Sequence, residues 1–108
     1  MTTLSQKHCA PGGQATALSD SDIRINLGSL KGWERVDNEI RKTFPFANYY
    51  ETIAFVNATA WISHREDHHP DMSVHYNKCV VAYSTHDASG ITLNDFICAA
   101  KLDALLSL

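Results

Sequence analysis

No stretch of this 108-residue sequence approaches the roughly 18 consecutive apolar residues that a bilayer-spanning helix requires, and no membrane role is expected. Basic charge is equally scarce. Nine Lys and Arg stand against twelve Asp and Glu, a formal charge of −3, which leaves no footprint for a phosphate backbone and argues against direct nucleic-acid binding. Cys9, Cys79 and Cys98 are odd in number, widely spaced and without a C-x-x-C pair. They suggest neither a disulfide framework nor a thiolate zinc site, and the natural setting is a reducing cytoplasm. The opening residues lack the positive-then-apolar order of a signal peptide, and Pro11-Gly12-Gly13 breaks regular structure. Residues 1–17 therefore read as a flexible tail ahead of one domain over 18–108. Internal repeats and low-complexity stretches are absent as well.

What is present is the composition of a soluble globular domain, 44% hydrophobic and 19% charged. Such a length supports one core and leaves room for help from self-association. Three helix starts follow from a polar cap residue with an acid three positions on: Ser19 with Asp22, Asn48 with Glu51, and Thr92 with Asp95. The first helix carries Ile23 and Leu27 and stops at Gly28 after about two turns. In the second, Ile53, Val56 and Ala60 recur at helical spacing, with Tyr49, Phe55 and Trp61 thickening the stripe. Pro70 forbids its continuation and sets its end near Arg65 or Glu66. The third runs amphipathically from Leu93 through Phe96, Ile97, Ala100 and Ala104 to Leu105.

Between the helices lie two hairpins. Trp33 to Val36 and Glu39 to Phe46 flank the turn Asp37-Asn38, while Met72 to Tyr76 and Cys79 to Thr85 flank Asn77-Lys78. The implied fold is α+β, a four-stranded antiparallel sheet with three helices packed on one face, in the order α-β-β-α-β-β-α. Cys79-Val80-Val81-Ala82-Tyr83 is apolar at every position, whereas a sheet with one wet face alternates. Either a second copy of the chain covers that face, or a central strand turns small residues to water.

The residues most suggestive of chemistry are histidines: Asp67-His68-His69-Pro70 and, farther on, Ser84-Thr85-His86-Asp87. Proline pushes the residue before it out of the helical region, so His69 lies off the helix and diverges from His68. His86 ends the last strand, where functional groups are common. Three readings are open from residue type. The histidines can be solvated groups at a helix end, favoured by the helix dipole. They can bind a metal, with His64 and His68 one turn apart and His69, His75 and His86 as further donors, although adjacent histidines before a proline are poorly arranged around one tetrahedral ion. They can also exchange protons, each role contributing a factor of about 10² to 10⁴.

Taken together, Asp67-His68-His69-Pro70, Tyr76-Asn77, Ser84-Thr85-His86-Asp87 and Asp95 beyond Gly90, with Gly32-Trp33 and Phe55-Val56, resemble the pterin-4a-carbinolamine dehydratases over about residues 18 to 106. The resemblance implies a hydro-lyase that dehydrates 4a-hydroxytetrahydropterin to quinonoid dihydropterin and water, recycling the tetrahydropterin of an aromatic amino acid (phenylalanine) hydroxylase. It implies His68, His69 and His86 as catalytic residues, a pterin pocket bounded by Asp67, His68, His69, Ser84, Thr85, His86 and Asp87, no metal and no cofactor, and a homodimer or homotetramer. Some relatives serve as dimerisation or assembly modules, so a non-catalytic binding protein of the same fold is the alternative. His64 stands where many members carry an acid; with Asp95 it is a candidate partner for the histidines, although a helix cap explains Asp95 without any function. Trp33 is expected in the core, the alternative being a place beside the planar pterin.

Overall fold

The computed structural model describes residues 3–106. The elements are α1 (Asp20–Gly28), β1 (Glu34–Val36), β2 (Glu39–Pro45), α2 (Tyr49–Glu66), β3 (Asp71–Val74), β4 (Lys78–Tyr83) and α3 (Leu93–Leu105), the order expected, with single 3₁₀ turns at Leu4–Gln6, Gly12–Gln14 and His86–Ala88. Each α-helix starts where its cap residue lies. Ser19 accepts from the Asp22 amide at 3.2 Å and Asn48 from the Glu51 amide at 3.0 Å. Glu51 does not close the box on Asn48; its carboxylate accepts from the Ala47 amide one residue earlier, at 2.9 Å. Among the described residues no helix is long and apolar enough to cross a membrane.

All strand pairs are antiparallel, in the order β1-β2-β4-β3. Register sets the core, because side chains alternate across a strand. Ile40 pairs with Tyr83, Lys42 with Val81 and Phe44 with Cys79. Ile40, Phe44, Cys79, Val81 and Tyr83 form one buried cluster with Ile23 of α1, Phe55 and Ile62 of α2, and Phe96 and Leu102 of α3. All three helices thus cover one face. Fully burying a side chain such as Phe55 is worth about 1.5–3 kcal/mol. Trp33 is in this core, edge-on to Phe44 at 5.9 Å, its indole N–H donating to Asp103 at 3.0 Å. On the opposite face Val80 and Ala82 are only half-buried, paired with Thr43 and Arg41 on one side and Ser73 and Asp71 on the other. The second hairpin turns at Tyr76-Asn77 rather than Asn77-Lys78: the His75 amide donates to the Lys78 carbonyl at 2.9 Å, which draws Lys78 into β4.

Two expectations about helix faces are corrected. In α2 the buried residues are Thr52, Phe55, Thr59, Ile62 and Glu66, whereas Trp61 is 63% exposed and Tyr49 48%. Threonine hides the true core face from hydropathy because its hydroxyl is satisfied locally. Thr52 donates to the Asn48 carbonyl at 3.0 Å and Thr59 to the Val56 carbonyl at 2.7 Å. In α3, residues 94–100 are all buried, so its first half has no wet face.

The reason lies in the N-terminal segment, for which a free tail is expected. Residues 3–10 lie against α3 and the end of α2, and Gly12–Gln14 lies against the His86–Ala88 turn. Asn94 donates to the Ala10 carbonyl at 2.8 Å and accepts from the Ala10 amide at 2.9 Å, and Lys101 donates to the Ser5 carbonyl at 2.9 Å. Leu18 continues the attachment, its amide donating to Ile91 at 2.8 Å.

Candidate active site

Helix α2 stops because Asp67 turns left-handed, φ 51° and ψ 44°, a conformation that a short polar side chain tolerates. The Asp67 and His68 amides both close on the Ser63 carbonyl. That turn takes His68 out of helical phase and lays its ring on the core face of the sheet. The ring stacks on Tyr83, with centroids 5.8 Å apart and planes 11° from parallel, and its side chain is 11% exposed. His69, next in sequence, faces solvent, and Pro70 then leads into β3.

Asp95 meets His68 from the first turn of α3. Its Oδ1 lies 2.6 Å from His68 Nε2, and its Oδ2 accepts from the Thr85 hydroxyl at 3.0 Å and the Thr92 amide at 2.9 Å. Both readings of Asp95 hold at once: one oxygen closes the capping box, the other engages the histidine. Thr85 gives its only hydroxyl proton to Asp95, so in the 2.7 Å contact between Thr85 and Thr92 it is Thr92 that donates. Thr92 in turn accepts from the Asn94 amide at 3.2 Å. A carboxylate accepts only, so His68 presents Nε2–H to it, and Nδ1 is the ring nitrogen left for the cleft. Such carboxylate partners fix the tautomer and orientation of an imidazole.

On the other wall, β4 ends at Tyr83 and the chain runs through Ser84 and buried Thr85 into the 3₁₀ turn His86–Ala88, pinned by a bridge between Thr85 and Gly90. His86 and Asp87 are exposed at its tip. Asp67, His68, His69, Ser84, Thr85, His86 and Asp87 line one cleft of about 300 Å³. Ser84, Thr85 and His86 also border a second recess of about 280 Å³, reached by Asn38 from the β1–β2 turn. A larger groove of about 680 Å³ runs between Leu4, Leu30, Ala100 and Ala104. It holds none of the histidines, and we place the site by chemistry rather than size.

Not every expected residue reaches the cleft. His64 is exposed on the last turn of α2 and His75 bonds Ser73 at 2.8 Å on the β3 edge; neither lines it. Among the described residues no group of three or more His, Cys, Asp or Glu side chains is placed to hold a metal ion. Two contributors are not among the residues expected at the site. Tyr83 reads in the sequence as an apolar strand residue, though its position two before Thr85 puts both on one face of an extended chain. Asn38 lies in a turn and carries no signal of its proximity.

A family model for pterin 4 alpha carbinolamine dehydratase matches residues 16–105. A protein of Chromobacterium violaceum, named provisionally as a pterin-4-alpha-carbinolamine dehydratase, is 59% identical over 102 residues, covering 94% of both chains. One of Nitrosospira multiformis, named likewise, is 54% identical over 106 residues, covering 97% of this chain and 94% of its own. Among solved structures, a transcriptional coactivator/pterin dehydratase from Brucella melitensis superposes with a TM-score of 0.80 at 30% identity, over 83% of this chain and 98% of that one. A pterin dehydratase-like protein identified as a RuBisCO assembly factor in the alpha-carboxysome shares the fold, with a TM-score of 0.56 at 23% identity, over 68% of this chain and 84% of its own. By its sequence and by its fold, the chain belongs to the pterin-4-alpha-carbinolamine dehydratase family.

Proposed function

We propose that this chain catalyses the dehydration of 4a-hydroxytetrahydropterin to quinonoid dihydropterin and water. The observation that carries this reading is the pairing of His68 with buried Asp95 in a cleft that His69 and His86 share. In the carbinolamine a ring nitrogen adjoins the carbon bearing the hydroxyl, and its lone pair pushes the hydroxyl out as the carbon–nitrogen double bond forms. The protein has only to protonate the leaving oxygen and take the ring N–H proton. His68 exchanges a proton through Nδ1 while Asp95 holds Nε2; His69 and His86 approach from the open side. Thr85, locked by Thr92 and Asp95, keeps this wall in place, while Ser84 and Asp87 line the cleft for the polar edge of the pterin. Two such proton-transfer roles, at about 10² to 10⁴ each, suit a reaction that already proceeds unaided.

The test is a spectrophotometric assay with freshly generated carbinolamine, measured against the spontaneous rate. His68→Ala and His86→Ala should each lower turnover at least tenfold while the circular dichroism spectrum stays native. Unchanged turnover in both variants overturns the proposal. A wild-type rate no faster than the spontaneous one favours the second reading, a non-catalytic binding or assembly module, to which the names of the two structural neighbours lend support for those proteins.

In this reading the enzyme is cytoplasmic, with its three cysteines free, and restores tetrahydropterin for an aromatic amino acid hydroxylase. It acts as a homodimer or homotetramer. Support comes from the outer surface of the fold: Tyr50 is 85% exposed and Trp61 63% on α2, and Val74 is exposed on edge strand β3. Sedimentation as a monomer at micromolar concentration removes the oligomer from the proposal.

A further inference from the structure

Cys9 and Cys98 are 89 positions apart in sequence, yet their sulfurs are 3.6 Å apart. A disulfide bond is about 2.05 Å long, so bonding requires only a short approach. The contact is held on several sides. The Cys9 amide donates to Glu66 at 2.7 Å, its thiol reaches the Asn94 carbonyl at 3.6 Å, and neighbouring Ala10 is bound in both directions by the Asn94 side chain. Cys98 is fully buried in α3, whereas Cys9 is half-buried. The third thiol, Cys79, is buried on β4.

We propose that Cys9 and Cys98 are an oxidation site, converted by a hydroperoxide into an intramolecular disulfide that fastens the N-terminal segment to α3. Cys9 reacts first because it is the accessible sulfur. Its thiolate attacks the peroxide, the O–O bond breaks, and the departing oxygen leaves as an alcohol or water after taking a proton, giving a sulfenic acid. Cys98 then loses its proton and attacks the Cys9 sulfur; the S–O bond breaks and the hydroxyl leaves as water. Two thiols are oxidised by two electrons and one hydroperoxide is reduced by two. The contact with Cys9, together with burial, holds the Cys98 thiol well above the ordinary cysteine range, so it is the slower of the two to lose its proton, and the 3.6 Å approach rather than acidity carries the second step. Closing so long a loop restricts the unfolded chain and stabilises the folded one.

Hydrogen peroxide added to the intact, reduced protein tests this. The expected product has lost about 2 Da, has one titratable thiol on denaturation instead of three, and yields a Cys9–Cys98 cross-linked peptide in a non-reducing digest. Its melting temperature should rise by about 5 °C, a gain that dithiothreitol abolishes. Cys9→Ser, at a half-buried position, should fold and form no such bridge. Cys9 accumulating as sulfinic acid, a bridge between two chains, pairing with Cys79, or an unchanged mass under excess peroxide overturns the proposal. A Cys9–Cys98 bridge that leaves the melting temperature unmoved overturns the fastening role.

Discussion

Two buried carboxylates, Glu66 and Asp95, lie close to the histidines in different senses. Glu66 immediately precedes Asp67-His68-His69 in sequence yet faces away from the cleft. It accepts from the Cys9 amide at 2.7 Å, lies 3.0 Å from His8 Nδ1 and 3.7 Å from the Lys101 ammonium, and so anchors the N-terminal segment. Asp95 is 27 positions from His68 and holds its ring at 2.6 Å. Helical phase explains the difference. Glu66 continues the buried row of Ile62 and Thr59, one and two turns back along α2, while the left-handed turn at Asp67 releases His68 from that row. Both acids are buried with donors around them, as buried charge requires, and each meets a histidine, but the histidine that Asp95 holds lines the cleft and the one that Glu66 meets, His8, does not.

The largest expected effect separates the two directly. Asp95→Asn should lower dehydratase turnover about 10- to 100-fold by loosening the His68 ring, and should cost about 2–4 kcal/mol in urea unfolding because one of the two acceptor oxygens in a buried network becomes a donor. Glu66→Gln should leave turnover within about twofold of the native rate and cost about 1 kcal/mol. Equal losses of activity in both variants break the contrast.

Acid should act on Glu66 first through the N-terminal segment. Burial pushes its carboxyl up, but the Cys9 amide, His8 and Lys101 outweigh burial and leave it below the ordinary glutamate value of 4.5. The folded form therefore binds fewer protons than the unfolded one near that value. The stabilisation is complete above about pH 4.5 and disappears as pH falls through the lower folded value. The Cys9 amide resonance should follow that titration, and should cease to do so in Glu66→Gln.

The smallest effect concerns the Tyr83 platform. Its hydroxyl is buried without a hydrogen-bond partner among the described residues, and burial holds its ionisation far above the ordinary tyrosine range. Tyr83→Phe keeps the ring against His68 and removes that unpaired group. We expect the urea midpoint to stay level or rise by the equivalent of up to about 1 kcal/mol, with turnover nearly unchanged. A large loss of activity would give the hydroxyl a part in the site and sharpen the division between platform and partner.

The sequence was legible wherever information is local. Cap chemistry at Ser19, Asn48 and Thr92 marked all three helices, because a side-chain oxygen must meet an amide within three residues. Paired turn residues marked both hairpin turns to within a residue, although the strands of the second hairpin end two residues earlier than expected. The seven residues that the family resemblance implies for the pocket line one cleft, and their substrate-binding role is what we propose. Hydropathy misassigned the buried face of α2, since Thr52 and Thr59 satisfy their hydroxyls against their own helix and pack like apolar groups. It also assigned α3 a wet face that residues 3–10 cover.

By itself, the sequence determined the element order, the family, and the presence of several histidines on two loops. Only the tertiary structure decided that Asp95 both caps α3 and holds His68, that Glu66 serves the N-terminal segment, that His64 stands outside the cleft, and that Cys9 meets Cys98. The physical reason is range. Capping, turns and periodicity act over three or four residues. Each of these pairings depends instead on the phase of a helix and the register of a sheet, which are fixed only when the whole core closes.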